Sequence, residues 1–149
     1  MSGIAGIFSG EKEHVSPIIY YGLYALQHRG EVSSGMAVNN NGYIDYVKDL
    51  GLVNDVISKE TLMRMRGNIA IGHVRYAAHF EAKNKVNAQP LVIGYKRGAL
   101  AIALDGSIVN FMKIREAMED QGSIFQTDLD TEVIAALIAK YHKDDLNDA

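Results

Sequence analysis

Cysteine is absent from this chain of 149 residues. Its absence excludes disulfides, thiolate metal sites and a cysteine nucleophile within the chain, and makes the cytoplasm the default expectation for its location. There is no basic block of the kind nucleic acid demands, and the net charge is -3 with a pI near 5.9, so nucleic acid is not an expected partner. No apolar run approaches a membrane span, and the first residues lack the basic and apolar regions of a signal peptide. A membrane partner is therefore not expected either. The five histidines show no metal-ligand spacing, so the metal expectation is none. Internal repeats, linkers and low-complexity segments are missing too. What remains is a chain with 48% hydrophobic residues, enough for the core of one domain, or most of one.

The order of elements can be read from pattern. "GIAGIF" (3–8) reads as a buried strand. "SPIIYYGLYALQHRG" (16–30) reads as a helix with Ser16 able to cap it, Pro17 in its first turn and Gly30 able to end it. "SSGMAVNNNGYIDYVKD" (33–49) is a predicted hairpin turning at Asn40-Asn41-Gly42, and "SKETLMRMRG" (58–67) a short helix closed by glycine. "NIAIGHVRY" (68–76) is a further strand, and "HFEAKNKVNAQP" (79–90) a long polar loop. A second hairpin and a turn at Asp105-Gly106 occupy 91–110. Helices follow at 111–122, capped by Asn110, and at 130–143. No βαβ alternation occurs. The fold class expected is α+β, antiparallel sheets with covering helices.

Several residues carry possible chemistry. Ser2, if Met1 were removed, would hold a hydroxyl and a free α-amine, a nucleophile with its own base; the plainer reading is a residue that follows the start. Arg75, at the end of an apolar strand, can clamp a carboxylate with two parallel hydrogen bonds, or join a surface ion pair. Asp130 opens a helix and can cap it or hold a ligand's amino group. Together an arginine and an aspartate suit the two ends of an amino-acid zwitterion. The "LDGS" stretch (104–107) offers the Gly106 amide to an oxyanion, or is a tight turn. His28 and Arg29 are structural or face a cleft. His73, in an apolar strand, reads as a core histidine.

Together "GIAGIF", "YGLYALQHRGEVSSG", "GHVRYA", "NAQPL", "DGSIVN" and "FQTDLDTEVI" resemble the glutaminase domain of the amidophosphoribosyltransferase family. These are class II glutamine amidotransferases of the N-terminal-nucleophile hydrolase type. The motifs follow the family's order along nearly the whole chain. The resemblance implies a partial class II domain over 1–149, similar to a truncated αββα layer fold, with no cofactor. It implies that Ser2 stands at the nucleophile position, where the family has a cysteine that attacks the glutamine side-chain amide with its own α-amine as base. Arg75 would hold the glutamine carboxylate and Asp130 its amino group. Asp105 and Gly106 would stand at the oxyanion position, where the family has Asn-Gly. The released ammonia passes, in that family, to a phosphoribosyltransferase domain.

The departures define the expectation. Serine is less nucleophilic than cysteine at neutral pH. A carboxylate at Asp105 would repel a developing negative charge that an amide would stabilise. Ala77 and Ala78 replace hydroxyl residues of the family's strand motif. The chain is expected to bind glutamine or a related amino acid, as a non-catalytic relative or regulatory subunit. One alternative is an active glutaminase that uses serine or was changed from cysteine to serine. The other is a structural subunit of a split amidotransferase. A homo-oligomer, or a separate chain supplying the rest of the domain, is the expected partner.

Overall fold

The computed structural model describes residues 1–10, 14–76 and 84–143. The positions Ala77 and Ala78, and the first part of the expected long loop, lie outside the described residues. Four strands form the larger sheet: β1 (Gly3–Phe8), β2 (Ser33–Asn40), β3 (Tyr43–Leu50) and β4 (Ile69–Arg75), in the order β1-β4-β2-β3 with every pairing antiparallel. A two-stranded sheet pairs β5 (Leu91–Tyr95) with β6 (Gly98–Ile102). Helix α1 (Ser16–Ala25) packs on β1 and β4, while α5 (Asp130–Tyr141) packs on β5 and β6, with α4 (Phe111–Glu119) beside it. β3 meets β6. The layers therefore run helix, sheet, sheet, helix, the α+β arrangement read from the sequence.

Strand alternation sorts the β4 side chains. A Cβ at Gly72 would lie 2.6 Å from Leu23 Cδ1, so the 70-72-74 face looks at α1. The opposite face carries His73 and Arg75. The α1 face holds the core: Val15, Ile19, Leu23, Met36, Val38, Val53, Ile57, Met65, Ala70 and Val74 form one buried cluster. Each large side chain there is worth roughly 1.5–3 kcal/mol of transfer free energy. α2 (Val53–Val56) and α3 (Lys59–Arg64) close the end of this core. None of the described helices is long and apolar enough to cross a membrane.

Several local expectations are corrected. β1 is an edge strand rather than a buried one: Ala5 and Ile7 pack on the core, but Phe8 is 72% exposed on the other face. Ser16 does not cap α1; Val15 stands at that position, and the Ser16 hydroxyl instead donates to Leu62 O at 3.1 Å, drawn in by the chain end of α3. The 16–30 segment breaks after Ala25 into a 3₁₀ turn, Gln27–Arg29. α3 ends at Arg64 rather than at Gly67, and α4 at Glu119, with Asn110 at its start making no side-chain cap. The hairpin turn agrees with expectation. Asn41 and Gly42 both have positive φ (51° and 91°), the conformation two-residue hairpin loops favour.

Candidate functional site

The N-terminal segment enters β1 antiparallel to the end of β4, with Gly3 opposite Val74. Alternation then sends Ser2 to the face that carries His73 and Arg75. Ser2 is 8% exposed. Its hydroxyl accepts the Tyr76 backbone N–H at 3.2 Å, just beyond the end of β4. The Ser2 backbone is held on both sides. Its N–H donates to Asp105 Oδ1 at 2.8 Å, and its carbonyl accepts from Arg29 Nε at 2.9 Å. Arg29 Nη2 lies 3.7 Å from Asp105 Oδ2, which closes a triangle around the residue.

The local sequence explains why these groups meet. The 3₁₀ turn carrying Arg29 must cross the end of β4 at close range. A Cβ on Gly30 would lie 2.5 Å from the Arg75 carbonyl carbon, so only glycine fits. The Val32 N–H then donates to Arg75 O at 3.0 Å. The turn bearing Asp105 is anchored from beneath. The His73 imidazole lies 3.2 Å from Leu104 O, and Gln89 Oε1 accepts the Leu104 N–H at 2.7 Å. Gly106 follows with φ of 137°, a backbone conformation that L side chains rarely adopt. His73 is fully buried, and that burial pushes its pKa down to about 4; nearby Arg75 adds to the effect, while the Leu104 carbonyl and Asp105 oppose it. The ring is neutral at pH 7. It therefore donates from Nε2 to the Leu104 carbonyl, which leaves Nδ1 without a partner among the described residues.

Ser2, Arg75, Asp105, Gly106 and Asp130, the residues singled out in the sequence, all line one cleft of about 880 Å³. Arg75 spends one donor, Nη1, on Asn87 O at 2.9 Å, and makes no ion pair with a described residue. Its guanidinium carries five N–H donors, so capacity beyond that one bond is there for a ligand. Asp130 is the first residue of α5 but does not cap that helix, which corrects one of its two sequence readings. Its Oδ2 accepts the Ile108 N–H at 2.9 Å instead, tying the helix to the segment after Gly106.

Two contributors were not identified from sequence. Arg29 was left undecided between structure and cleft, and only the fold brings it beside Asp105. Glu132 was not singled out at all. Its carboxylate is buried and accepts from the Gln126 N–H (2.9 Å), the Thr127 N–H (2.7 Å) and the Thr127 hydroxyl (2.7 Å). These bonds fold the 126–129 segment that brings Asp128 and Leu129 into the cleft. A Thr-x-x-x-x-Glu spacing at a helix start was the available signal.

A helix-sheet-sheet-helix domain with the start of its first strand, at Ser2, drawn into a cleft between an arginine and acids is an N-terminal-nucleophile hydrolase fold. The chain belongs to the glutamine amidotransferase domain family, whose family model matches residues 58–149. It is 45% identical over 140 residues to the amidophosphoribosyltransferase of Methanocaldococcus jannaschii, covering 94% of this chain and 30% of that one. The Methanothermobacter thermautotrophicus enzyme of the same name is 41% identical, over 97% of this chain and 31% of its own. Among solved structures, the glutamine phosphoribosylpyrophosphate amidotransferase of B. subtilis, complexed with ADP and GMP, superposes with a TM-score of 0.86 at 38% identity, covering 99% of this chain and 31% of that one. A structure described as the allosteric regulatory enzyme of purine biosynthesis gives 0.89 at 37% identity, with the same coverage. The chain thus spans about a third of the length of these relatives.

Proposed function

We propose that this chain is a glutaminase-type domain that binds glutamine or a closely related amino acid in the Ser2 cleft and does not hydrolyse it. Arg75 takes the ligand carboxylate and Asp130 its ammonium group. The observation that carries the reading is the 2.8 Å contact between Asp105 Oδ1 and the Ser2 N–H. A carboxylate stands beside the position from which attack would start. Attack on an amide builds negative charge on the carbonyl oxygen, and that charge needs a donor. Asp105 offers only acceptors.

The same contact disables the base. With Met1 attached, the Ser2 nitrogen is an amide and takes no proton. With Met1 removed, it would be an ammonium ion held by the Asp105 carboxylate, and an opposite charge at that distance favours the charged form. The serine hydroxyl is then left without a base.

The test is ammonia release from L-glutamine by the purified chain. The expected outcome is none above the uncatalysed background. Turnover of roughly 1–10³ per second, the usual enzyme range, would overturn the reading. Ser2→Cys alone is expected to stay inactive. Ser2→Cys with Asp105→Asn, processed to remove Met1, is the variant expected to release ammonia.

A further inference from the structure

Asp105 has acceptor capacity left over. Its Oδ1 takes the Ser2 N–H, but Oδ2 lies 3.7 Å from Arg29, too far for a direct hydrogen bond, and the side chain is 34% exposed at the cleft wall. A carboxylate can accept about four hydrogen bonds. The described side chains that line the cleft are also unbalanced in charge. Among the described residues, Asp105, Asp128 and Asp130 line it, with Arg75 as the one cationic side chain. If Arg75 and Asp130 hold a zwitterion, two of these charges are used, one of each sign. Two acids remain, with Arg29 partly offsetting one of them from outside the cleft.

We propose that Asp105 sets the specificity of the cleft for L-α-amino acids whose side chain ends in an N–H donor. An ω-ammonium group is preferred, an amide is accepted and a carboxylate is rejected. This rests on the amino-acid-binding reading above. A terminal ammonium group donates to Asp105 Oδ2 and neutralises it. A terminal amide donates without cancelling the charge. A terminal carboxylate meets a like charge with no donor to separate them, which is selection by repulsion as much as by attraction. The cleft would then hold ornithine- or lysine-like diamino acids more tightly than glutamine, and glutamine more tightly than glutamate.

The experiment is calorimetric titration of the full chain with L-ornithine, L-glutamine and L-glutamate at low salt. Asp105→Asn, checked for folding by its melting curve, is titrated alongside. The expected order is ornithine, then glutamine, then glutamate, with at least tenfold between the ends. In Asp105→Asn the gap should shrink several-fold, with glutamate gaining and ornithine losing. Added salt should also narrow the gap in the unmodified chain, because the group is partly exposed. Glutamate binding as tightly as ornithine, or an order unchanged in Asp105→Asn, overturns the specificity role and leaves amino-acid binding standing. If none of the three binds at tens of millimolar, amino-acid binding itself is overturned, and this inference with it.

Discussion

At the scale of single residues, the function proposed for the cleft turns on one side chain. Asp105 and an asparagine have nearly the same shape, yet one accepts where the other can donate. His73 illustrates a different consequence of burial. Its pKa, depressed to about 4 by desolvation, means the folded state binds fewer protons than the unfolded state at mildly acidic pH. The stability it contributes is complete above its ordinary value near 6.5 and is lost as pH falls from there through about 4. The amount is about 3 kcal/mol, at about 1.4 kcal/mol per pH unit. His73→Gln can still donate to the Leu104 carbonyl but does not titrate. Urea unfolding of the two proteins between pH 7 and pH 4 should show a shallower fall for the variant; parallel curves would contradict the burial of a neutral ring.

At the scale of elements, the site is built by crossings rather than by any one strand or helix. Gly30→Ala pushes a methyl group into the end of β4. It should cost about 1–3 kcal/mol by overpacking and disturb the placement of both Arg29 and Arg75, read out by denaturant midpoint. Glu132→Ala strands two backbone N–H groups and a hydroxyl. It should cost about 1–3 kcal/mol and loosen the 126–129 segment, visible as faster amide exchange at Gln126 and Thr127. Protection unchanged at those amides would mean that the segment is held by something else.

This scale also separates what could be read in advance from what could not. The Asn41-Gly42 turn was legible because its backbone conformation is a property of those two residues. β4 was legible as an apolar run, and α4 and α5 in their starting positions, although each ends before the expected boundary. β1 was misjudged because "GIAGIF" has the same composition at the edge of a sheet as at its centre; only the strand order leaves Phe8 uncovered. Ser16 has every local property of a cap, but a long-range acceptor, Leu62 O, claims its hydroxyl. α2 lies in a stretch where no secondary structure was foreseen, since four residues carry too little periodicity. At the site, the motif residues could be picked out because the resemblance carries them in order. The Arg29–Ser2–Asp105 triangle spans Ser2 to Asp105 in sequence, and no local pattern encodes it.

At the scale of the whole molecule, most of the stabilising burial lies between α1, α2, α3 and the larger sheet, on the side away from the cleft. Leu23 is completely buried there, against Gly72. Leu23→Ala should therefore cost about 2–5 kcal/mol, and because Leu23 lines no part of the cleft, the variant should keep its affinity for amino acids while it remains folded. The measurement that bears most directly on the account is the melting temperature of the chain with and without L-glutamine, run beside Arg75→Ala. A ligand that binds only the folded state raises it, by about 2–4 °C for each kcal/mol of linkage in a domain of this size. The expected result is a concentration-dependent rise in the unmodified chain and none in Arg75→Ala, which should melt as a folded protein. No rise at tens of millimolar, or a rise that survives in Arg75→Ala, would contradict the claim that this cleft binds an α-amino acid.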